Sequence, residues 1–231
     1  MVTNFQDQTN SLYQKEQHAF FNEVSFFKGI GGKSLPYLAW GVDFVDLNND
    51  GWLDLFIANG HLDHNISDID PVGTYAQRNQ IFVNQKGQAF IDQSETILVQ
   101  KQVSRGTAFG DLDNDGDIDV LVSNLNTQPV ILWNVTENNN NWFIIKLVGI
   151  SDNHSAIGTR VKIKINHQIQ IREVKSGSGY LSQSDFRLHF GLGQAKQIDQ
   201  LEIHWPNGTT QQLNRVPGNQ ILTVTQEKLS G

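Results

Sequence analysis

Short apolar runs rich in β-branched residues alternate with polar turns along this chain, and the pattern gives no convincing helix. In the first half, residues 40–45 and 53–58 flank one acidic stretch, and residues 106–110 and 118–123 flank another. Runs of this length and composition are typical of buried strands. Each acidic stretch is therefore predicted to be a loop that joins two adjacent strands of a hairpin.

The second half of the chain alternates apolar and polar residues with a period of two, which leaves one face of each strand in water. The predicted strands cover residues 142–150, 160–165, 168–174, 186–190, 200–205 and 220–224. Asn166-His167 and Asn207-Gly208 mark hairpin turns. Several short strands at this spacing predict an antiparallel, β-sandwich-like module.

The two acidic stretches belong to an internal repeat, with Asp46 and Asp111 65 residues apart. A unit of about four short strands repeated on this scale suggests a β-propeller blade. We therefore predict an all-β fold, with a partial β-propeller of about two blades at residues 1–140 and a β-sandwich-like antiparallel module at 141–231. Closed propellers need roughly 4–8 blades, so one hypothesis is that the remaining blades come from a longer chain.

Both acidic stretches match Asp-x-[Asp/Asn]-x-Asp-Gly-x-x-Asp, which is the pattern of a calcium loop. Positions one, three and five supply side-chain oxygens, position seven a backbone carbonyl and position nine a carboxylate, while glycine at position six permits the turn. The predicted ligands of two Ca²⁺ sites are Asp46, Asn48, Asp50, Trp52, Asp54, Asp111, Asp113, Asp115, Asp117 and Asp119. The first loop has one fewer carboxylate and is predicted to bind more weakly. An EF-hand is excluded because position twelve is Ile57 or Val122 instead of glutamate.

Composition narrows the function classes. The net charge of −7 argues against nucleic acid as a partner, since that binding depends on lysine and arginine. The absence of cysteine excludes disulfides and cysteine nucleophiles. No apolar run is long enough to span a membrane, and the N-terminal residues show no signal-peptide pattern.

The remaining serines and histidines that could act in catalysis or metal binding are better explained by structural roles, and no catalytic residue is predicted. The serines near residues 176–179 lack the strand-turn-helix context of a nucleophile elbow, so a glycine-rich turn is preferred. His61 and His64 have no partner cluster for a transition metal. His189 alternates with apolar residues on a predicted strand, so it is interpreted as a surface or hydrogen-bonded histidine.

Two sets of motifs carry a family resemblance. The loop with Phe109-Gly110-Asp111 resembles calcium-bearing FG-GAP/VCBS-type repeats of β-propellers. The second half resembles the ASPIC/UnbV domain through residues 156–161 (Ala-Ile-Gly-Thr-Arg-Val), 173–177 (Glu-Val-Lys-Ser-Gly), 179–184 (Gly-Tyr-Leu-Ser-Gln-Ser), 189–193 (His-Phe-Gly-Leu-Gly) and 205–208 (Trp-Pro-Asn-Gly). The combination resembles the cartilage-acidic-protein family, which implies calcium-bearing repeats and an extracellular or cell-envelope location.

The expected function is that of a non-catalytic, calcium-binding adhesion or protein-interaction module whose partner is a protein or a glycan. Two alternatives stay open. One is a carbohydrate-binding module, and the other is an accessory or catalytic subunit in a biosynthetic pathway, with the polar insertion at residues 60–78 lining a pocket.

Overall fold

The computed structural model describes residues 1–16, 20–150 and 152–227, and nearly all of the regular structure in these residues is β. The strands are β1 (Tyr13–Lys15), β2 (Phe21–Glu23), β3 (Ala39–Val45), β4 (Asp54–Asn59), β5 (Gln77–Arg78), β6 (Gln80–Asn84), β7 (Phe90–Asp92), β8 (Lys101–Gln102), β9 (Ser104–Gly110), β10 (Asp119–Asn124), β11 (Val130–Leu132), β12 (Asn141–Val148), β13 (Arg160–Ile165), β14 (Gln168–Glu173), β15 (Leu188–Gly193), β16 (Gln197–His204), β17 (Thr210–Pro217) and β18 (Ile221–Thr225). The all-β prediction is confirmed.

The expectation of a chain without helices needs a small correction. The described ranges contain three four-residue helices: α1 (Gly31–Ser34), α2 (Ile66–Ile69) and α3 (Ser94–Ile97). One turn of helix is too short to produce an amphipathic period in the sequence, so pattern analysis could not detect them. In the described residues, no helix has the length and apolar character needed to cross a membrane.

Each acidic stretch joins two antiparallel strands, as predicted: β3 to β4 in the first repeat and β9 to β10 in the second. The first repeat is a four-stranded sheet in the order β3-β4-β6-β7. The second repeat has three strands in the order β11-β10-β9 within the described residues, so the predicted four-strand unit is complete only in the first.

The two repeat sheets share a core, which holds the two acidic loops at a fixed separation. Phe56 of β4 and Phe109 of β9 pack edge-to-face, with ring centroids 5.9 Å apart, in a cluster that also contains Val45 and Val120. Full burial of an apolar side chain of this size stabilises a fold by about 1.5–3 kcal/mol. The repeats are therefore one packed unit.

The second half forms two sheets, in the orders β15-β12-β18 and β14-β13-β16-β17, around one core. The alternation predicted for residues 160–165 is observed, because Val161, Ile163 and Ile165 are buried while Lys164 is exposed. Most pairings are antiparallel as predicted, but β12 and β18 run parallel. This pair joins the first and last strands of the module, so no hairpin turn imposes an antiparallel direction on it.

The sequence pattern missed β17, which pairs with β16 over seven residue pairs. This strand is largely polar and turns only a few apolar side chains, such as Leu213 and Val216, towards the core. The available signal was the Asn207-Gly208 turn, since a hairpin turn requires a second strand.

Candidate metal centre

The second acidic loop is folded back on itself by its own backbone hydrogen bonds. Gly116 adopts φ +97°, and its amide donates to Asp111 Oδ2 at 3.1 Å. The amide of Asp115 donates to Asp113 Oδ1 at 3.3 Å, and the amide of Asp117 donates to Asp115 Oδ1 at 2.9 Å. These contacts gather the carboxylates of the loop on its inner side.

Three of the predicted ligands converge in this loop. Asp111, Asp113 and Asp115 each offer an oxygen, and these oxygens lie within 4.8 Å of one another. Asp111 is only 1% exposed, and its Oδ1 has no hydrogen-bond partner among the described residues. Burial raises the pKa of Asp111, because a buried carboxylate loses its hydration. A buried oxygen without a partner, beside two other carboxylates, fits a hard divalent cation, and this cluster could hold a metal ion.

The first loop repeats this geometry with one amide in place of a carboxylate. The Gly51 amide donates to Asp46 Oδ2 at 2.8 Å, and the Asp50 amide donates to Asn48 Oδ1 at 3.0 Å. Asp50 Oδ1 accepts from the amide of Trp52 at 2.8 Å. Burial first, and repulsion from nearby aspartates second, raise the pKa of Asp46 to about 7.

The position-nine carboxylates are part of the scaffold. Asp54 Oδ2 accepts from the Leu47 amide at 3.0 Å, and its Oδ1 accepts from the Asn84 amide at 2.8 Å. Asp119 makes the equivalent pair of contacts, at 2.9 Å each, with its own loop and with the Asn134 amide after β11. Each of these carboxylates therefore ties its loop to the third strand of its own sheet. Burial raises the pKa of Asp54 to about 6.

The two loops also touch each other, a contact that the sequence did not predict. The Asn49 Nδ2 group donates to Asp117 Oδ1 at 2.6 Å. Burial, and then repulsion from Asp115, raises the pKa of Asp117 to about 6. Asn49 occupies a non-ligand position of its loop, so the repeat pattern held no signal for this role.

The second loop also forms an interface with the C-terminal module. Arg187 donates from Nη1 to Asn114 Oδ1 at 2.7 Å and from Nη2 to the backbone oxygen of Asp111. His189 Nε2 lies 3.1 Å from the carbonyl oxygen of Gly116, which shows a hydrogen-bonded histidine as expected. Burial lowers the pKa of His189 to about 4.

The first loop reaches the same module through backbone groups. The Gly193 amide donates to the carbonyl of Asn49 at 2.8 Å, and Gln168 Nε2 donates to the carbonyl of Gly51 at 3.3 Å. Both loops therefore sit between the repeats and the C-terminal module. A cation bound in either loop would lie close to the junction of these two parts of the chain.

A cavity of about 580 Å³ also lies at this junction. Its wall includes Asp46, Asp111 and His189 from the region of the loops, together with Arg172 of β14. The insertion at residues 60–78 contributes to neither this cavity nor a second one of about 490 Å³ beside β11.

The fold and its acidic loops define a β-repeat unit joined to a second β module. Comparison with known proteins assigns both parts. Residues 65–122 match the family model of the FG-GAP-like repeat, and residues 149–230 match the family model described as ASPIC and UnbV. The chain therefore carries an FG-GAP-like repeat followed by an ASPIC/UnbV domain, and the predicted resemblance is confirmed.

A similar protein is Cartilage acidic protein 1 from Homo sapiens, which is 25% identical over 199 residues. The alignment covers 83% of this chain and 29% of the human protein. The chain thus spans less than a third of the relative that it matches.

Proposed function

We propose that this protein is a calcium-stabilised β-repeat module with a non-catalytic role in adhesion or protein interaction, in an extracellular or cell-envelope setting. The observation that carries the proposal is the cluster of Asp111, Asp113 and Asp115, which includes a buried oxygen without a partner in the described part of the chain. The similarity to Cartilage acidic protein 1 supports the choice of setting.

The residues around the second loop are arranged to hold this cluster in place. Arg187 holds the loop from the side of the C-terminal module, and Asp119 anchors its other end to the sheet. A bound Ca²⁺ would neutralise the carboxylates and remove their mutual repulsion. The protein groups would then keep the repeats and the C-terminal module in one relative position, which preserves the surface shown to a partner.

The first loop is proposed as a second, weaker Ca²⁺ site. It offers the side chains of Asp46, Asn48 and Asp50 and the carbonyl of Trp52, with one fewer carboxylate than the second loop. Fewer charged ligands lower the affinity for calcium. We place the affinity of both sites in the extracellular range, with Kd of about 10⁻⁴–10⁻³ M.

Calorimetric titration with Ca²⁺ tests the sites. The wild-type chain should take up two ions, and the double variant Asp111→Ala/Asp115→Ala should lose the stronger site. Asp68→Ala, at an exposed position of the insertion, is the matched control and should bind as the wild type does. Unchanged stoichiometry in the double variant would refute the assignment.

The interaction role needs its own experiment. A glycan array probed in millimolar Ca²⁺ and again in EDTA distinguishes a carbohydrate module from a protein-interaction module. Calcium-dependent binding to a defined glycan class would replace the protein-interaction proposal with the carbohydrate alternative. Absence of glycan binding in both conditions agrees with a protein partner.

A second candidate function, binding of a small anionic ligand, is favoured by the cavity at the junction. Arg172 lines this cavity, packs 5.3 Å from the Phe190 ring centroid, and has no carboxylate within 4.0 Å in the described part of the chain. A ligand carboxylate or phosphate would be the natural partner of this guanidinium. Thermal-shift screening against small anions, with Arg172→Met as the comparison, tests this candidate.

A further inference from the structure

Among the residues that the structure describes, the second repeat has no counterpart of the strand that completes the first. In the first repeat, β6 pairs with β4 on one side and with β7 on the other. In the second repeat, β11 pairs with β10 on one side, and no described strand lies on its other side.

The two repeats can be superposed residue by residue through their pairing registers. Phe56 of β4 pairs with Ile81 of β6, and Leu121 of β10, 65 residues after Phe56, pairs with Ile131 of β11. Asn134 also repeats the role of Asn84, since each amide donates to the position-nine aspartate of its own loop. Residues 130–134 are therefore the counterparts of residues 80–84.

The comparison shows which backbone hydrogen bonds a strand beside β11 would form. Ile81 donates its amide to Ser94 Oγ at 3.0 Å and accepts from the Gln93 amide at 2.9 Å, both from the segment that contains β7. No described residue makes the equivalent contacts with the backbone of Ile131. Its side chain is 42% exposed, whereas the side chain of Ile81 is buried in the core that the two repeats share. An unpaired, apolar strand edge of this kind is a template for another strand.

The residue that follows β11 is exposed in the same way. Val83 of β6 pairs with Ile91 of β7, whereas its counterpart Trp133 has no backbone hydrogen-bond partner among the described residues and is 52% exposed. After Asn134 the chain turns away through a hydrogen bond from Thr136 and does not fold back along β11. The cavity of about 490 Å³ lies beside this edge and is lined mainly by apolar residues.

We propose that the free edge of β11 binds an extended segment of a partner protein by strand addition, in the place that β7 fills in the first repeat. Strand β7 occupies the corresponding edge of β6 in the first repeat, so its residues indicate which residue types the bound segment should have. There, Phe90 packs into the core, Ile91 faces Val83, and Asp92 accepts hydrogen bonds from Ser94. The segment recognised therefore has the pattern aromatic, aliphatic, Asp, any residue, Ser.

Strand addition predicts which amides of the segment matter. In the first repeat, the Gln93 amide donates to Ile81 of β6, whereas the Phe90 amide points away and donates to Lys28. Because amides alternate along a strand, the Ile91 amide points towards β6 and the Asp92 amide points away. A methyl group on the Ile91 amide should therefore block binding, and one on the Asp92 amide should be tolerated.

The test uses a fluorescent peptide that copies residues 88–98, titrated with the full chain and followed by anisotropy. The plain peptide and the peptide N-methylated at the Asp92 position should bind, and methylation at the Ile91 position should weaken binding at least about tenfold. Ile131→Lys should weaken binding similarly, because it places a charge on the edge. Val72→Lys, at an exposed position of the insertion, is the matched control.

Three results would overturn the inference. They are no binding of the plain peptide, equal effects of the two methyl groups, and binding that Ile131→Lys leaves unchanged although its melting temperature matches the wild type. Sedimentation that shows dimers removed by Ile131→Lys would identify a second copy, not a partner segment, as the occupant.

The inference rests on the proposed interaction role, and the two can fail separately. Calcium uptake measured on the same protein preparation decides the metal sites. If uptake is normal and the peptide does not bind, only the strand-addition surface is refuted.

Discussion

Substituting Gly116 tests how tightly the second loop is packed against the C-terminal module. Gly116 has φ +97°, and a Cβ added there would overlap the indole ring of Trp142. Gly51 is the equivalent residue of the first loop, with φ +90°, but its added Cβ would come no closer than 3.1 Å to Gln170 Nε2. Both glycines therefore have a positive φ that disfavours other residues, but only at Gly116 would an added side chain overlap a neighbouring residue.

The expected magnitudes follow from these two costs. A non-glycine residue in such a left-handed conformation costs about 1–3 kcal/mol, which applies to Gly116→Ala and Gly51→Ala alike. Overlap with a packed side chain adds about 1–3 kcal/mol for Gly116→Ala alone. For a chain of 231 residues, each kcal/mol lowers Tm by about 2–4 °C. Gly116→Ala should therefore melt about 2–12 °C below Gly51→Ala.

The assay is thermal unfolding in EDTA. Because EDTA removes bound calcium from every variant, a difference in Tm then reports the change in packing and not a change in calcium binding. The double variant Gly116→Ala/Trp142→Ala should lose less stability than the sum of its single variants, since removal of the indole removes the overlap. Equal Tm values for the two glycine variants, or additive effects in the double variant, would refute the packing of Trp142 on the loop.

Two further predictions concern pH. His189, with its pKa lowered to about 4, resists protonation in the folded state, so the contribution of His189 to stability should fall by about 2–3 kcal/mol as pH drops from 6.5 to 4. Because Asp46 and Asp54 act in the opposite direction, the measured quantity is the stability of wild type minus that of His189→Gln in urea unfolding, which should fall by this amount over the range. In EDTA, Asp46 and Asp54 have pKa values raised to about 7 and about 6, so both carboxyls bind protons more tightly in the folded state. The stability that this binding adds is present at pH 4 and is lost as pH rises through 7. Millimolar Ca²⁺ should remove that loss, and Asp46→Asn should flatten the profile in EDTA. Identical profiles in EDTA for the wild type and Asp46→Asn would contradict the burial of Asp46.

The hairpins around both loops could be predicted because their signals are local. Two buried strands joined by a short acidic turn are predicted to pair as an antiparallel hairpin, and glycine at position six permits the tight turn between them. The period-two alternation of residues 160–165 similarly predicted β13 to the residue. Strand β17 was missed because it is mostly polar, so its position depends on pairing with β16.

The contacts that the two loops make with each other and with the C-terminal module could not be predicted, because they join residues far apart in sequence. Arg187 meets Asn114 across 73 positions, and Asn49 meets Asp117 across 68. Neither Arg187 nor Asn49 belongs to a sequence motif that would identify its hydrogen-bond partner. The parallel pairing of β12 with β18 is non-local in the same sense, since no short-range signal sets which strands become neighbours.

Melting in calcium and in chelator tests the central claim that divalent cations stabilise the two loops. With Kd of about 10⁻⁴–10⁻³ M, 10 mM Ca²⁺ adds about 1.4–2.7 kcal/mol for each occupied site, because only the folded state binds. Two sites should raise Tm by about 6–22 °C, and Asp111→Ala/Asp115→Ala should retain only the part of this shift that the first loop provides. Identical melting of the wild-type chain in 10 mM Ca²⁺ and in EDTA would contradict the account.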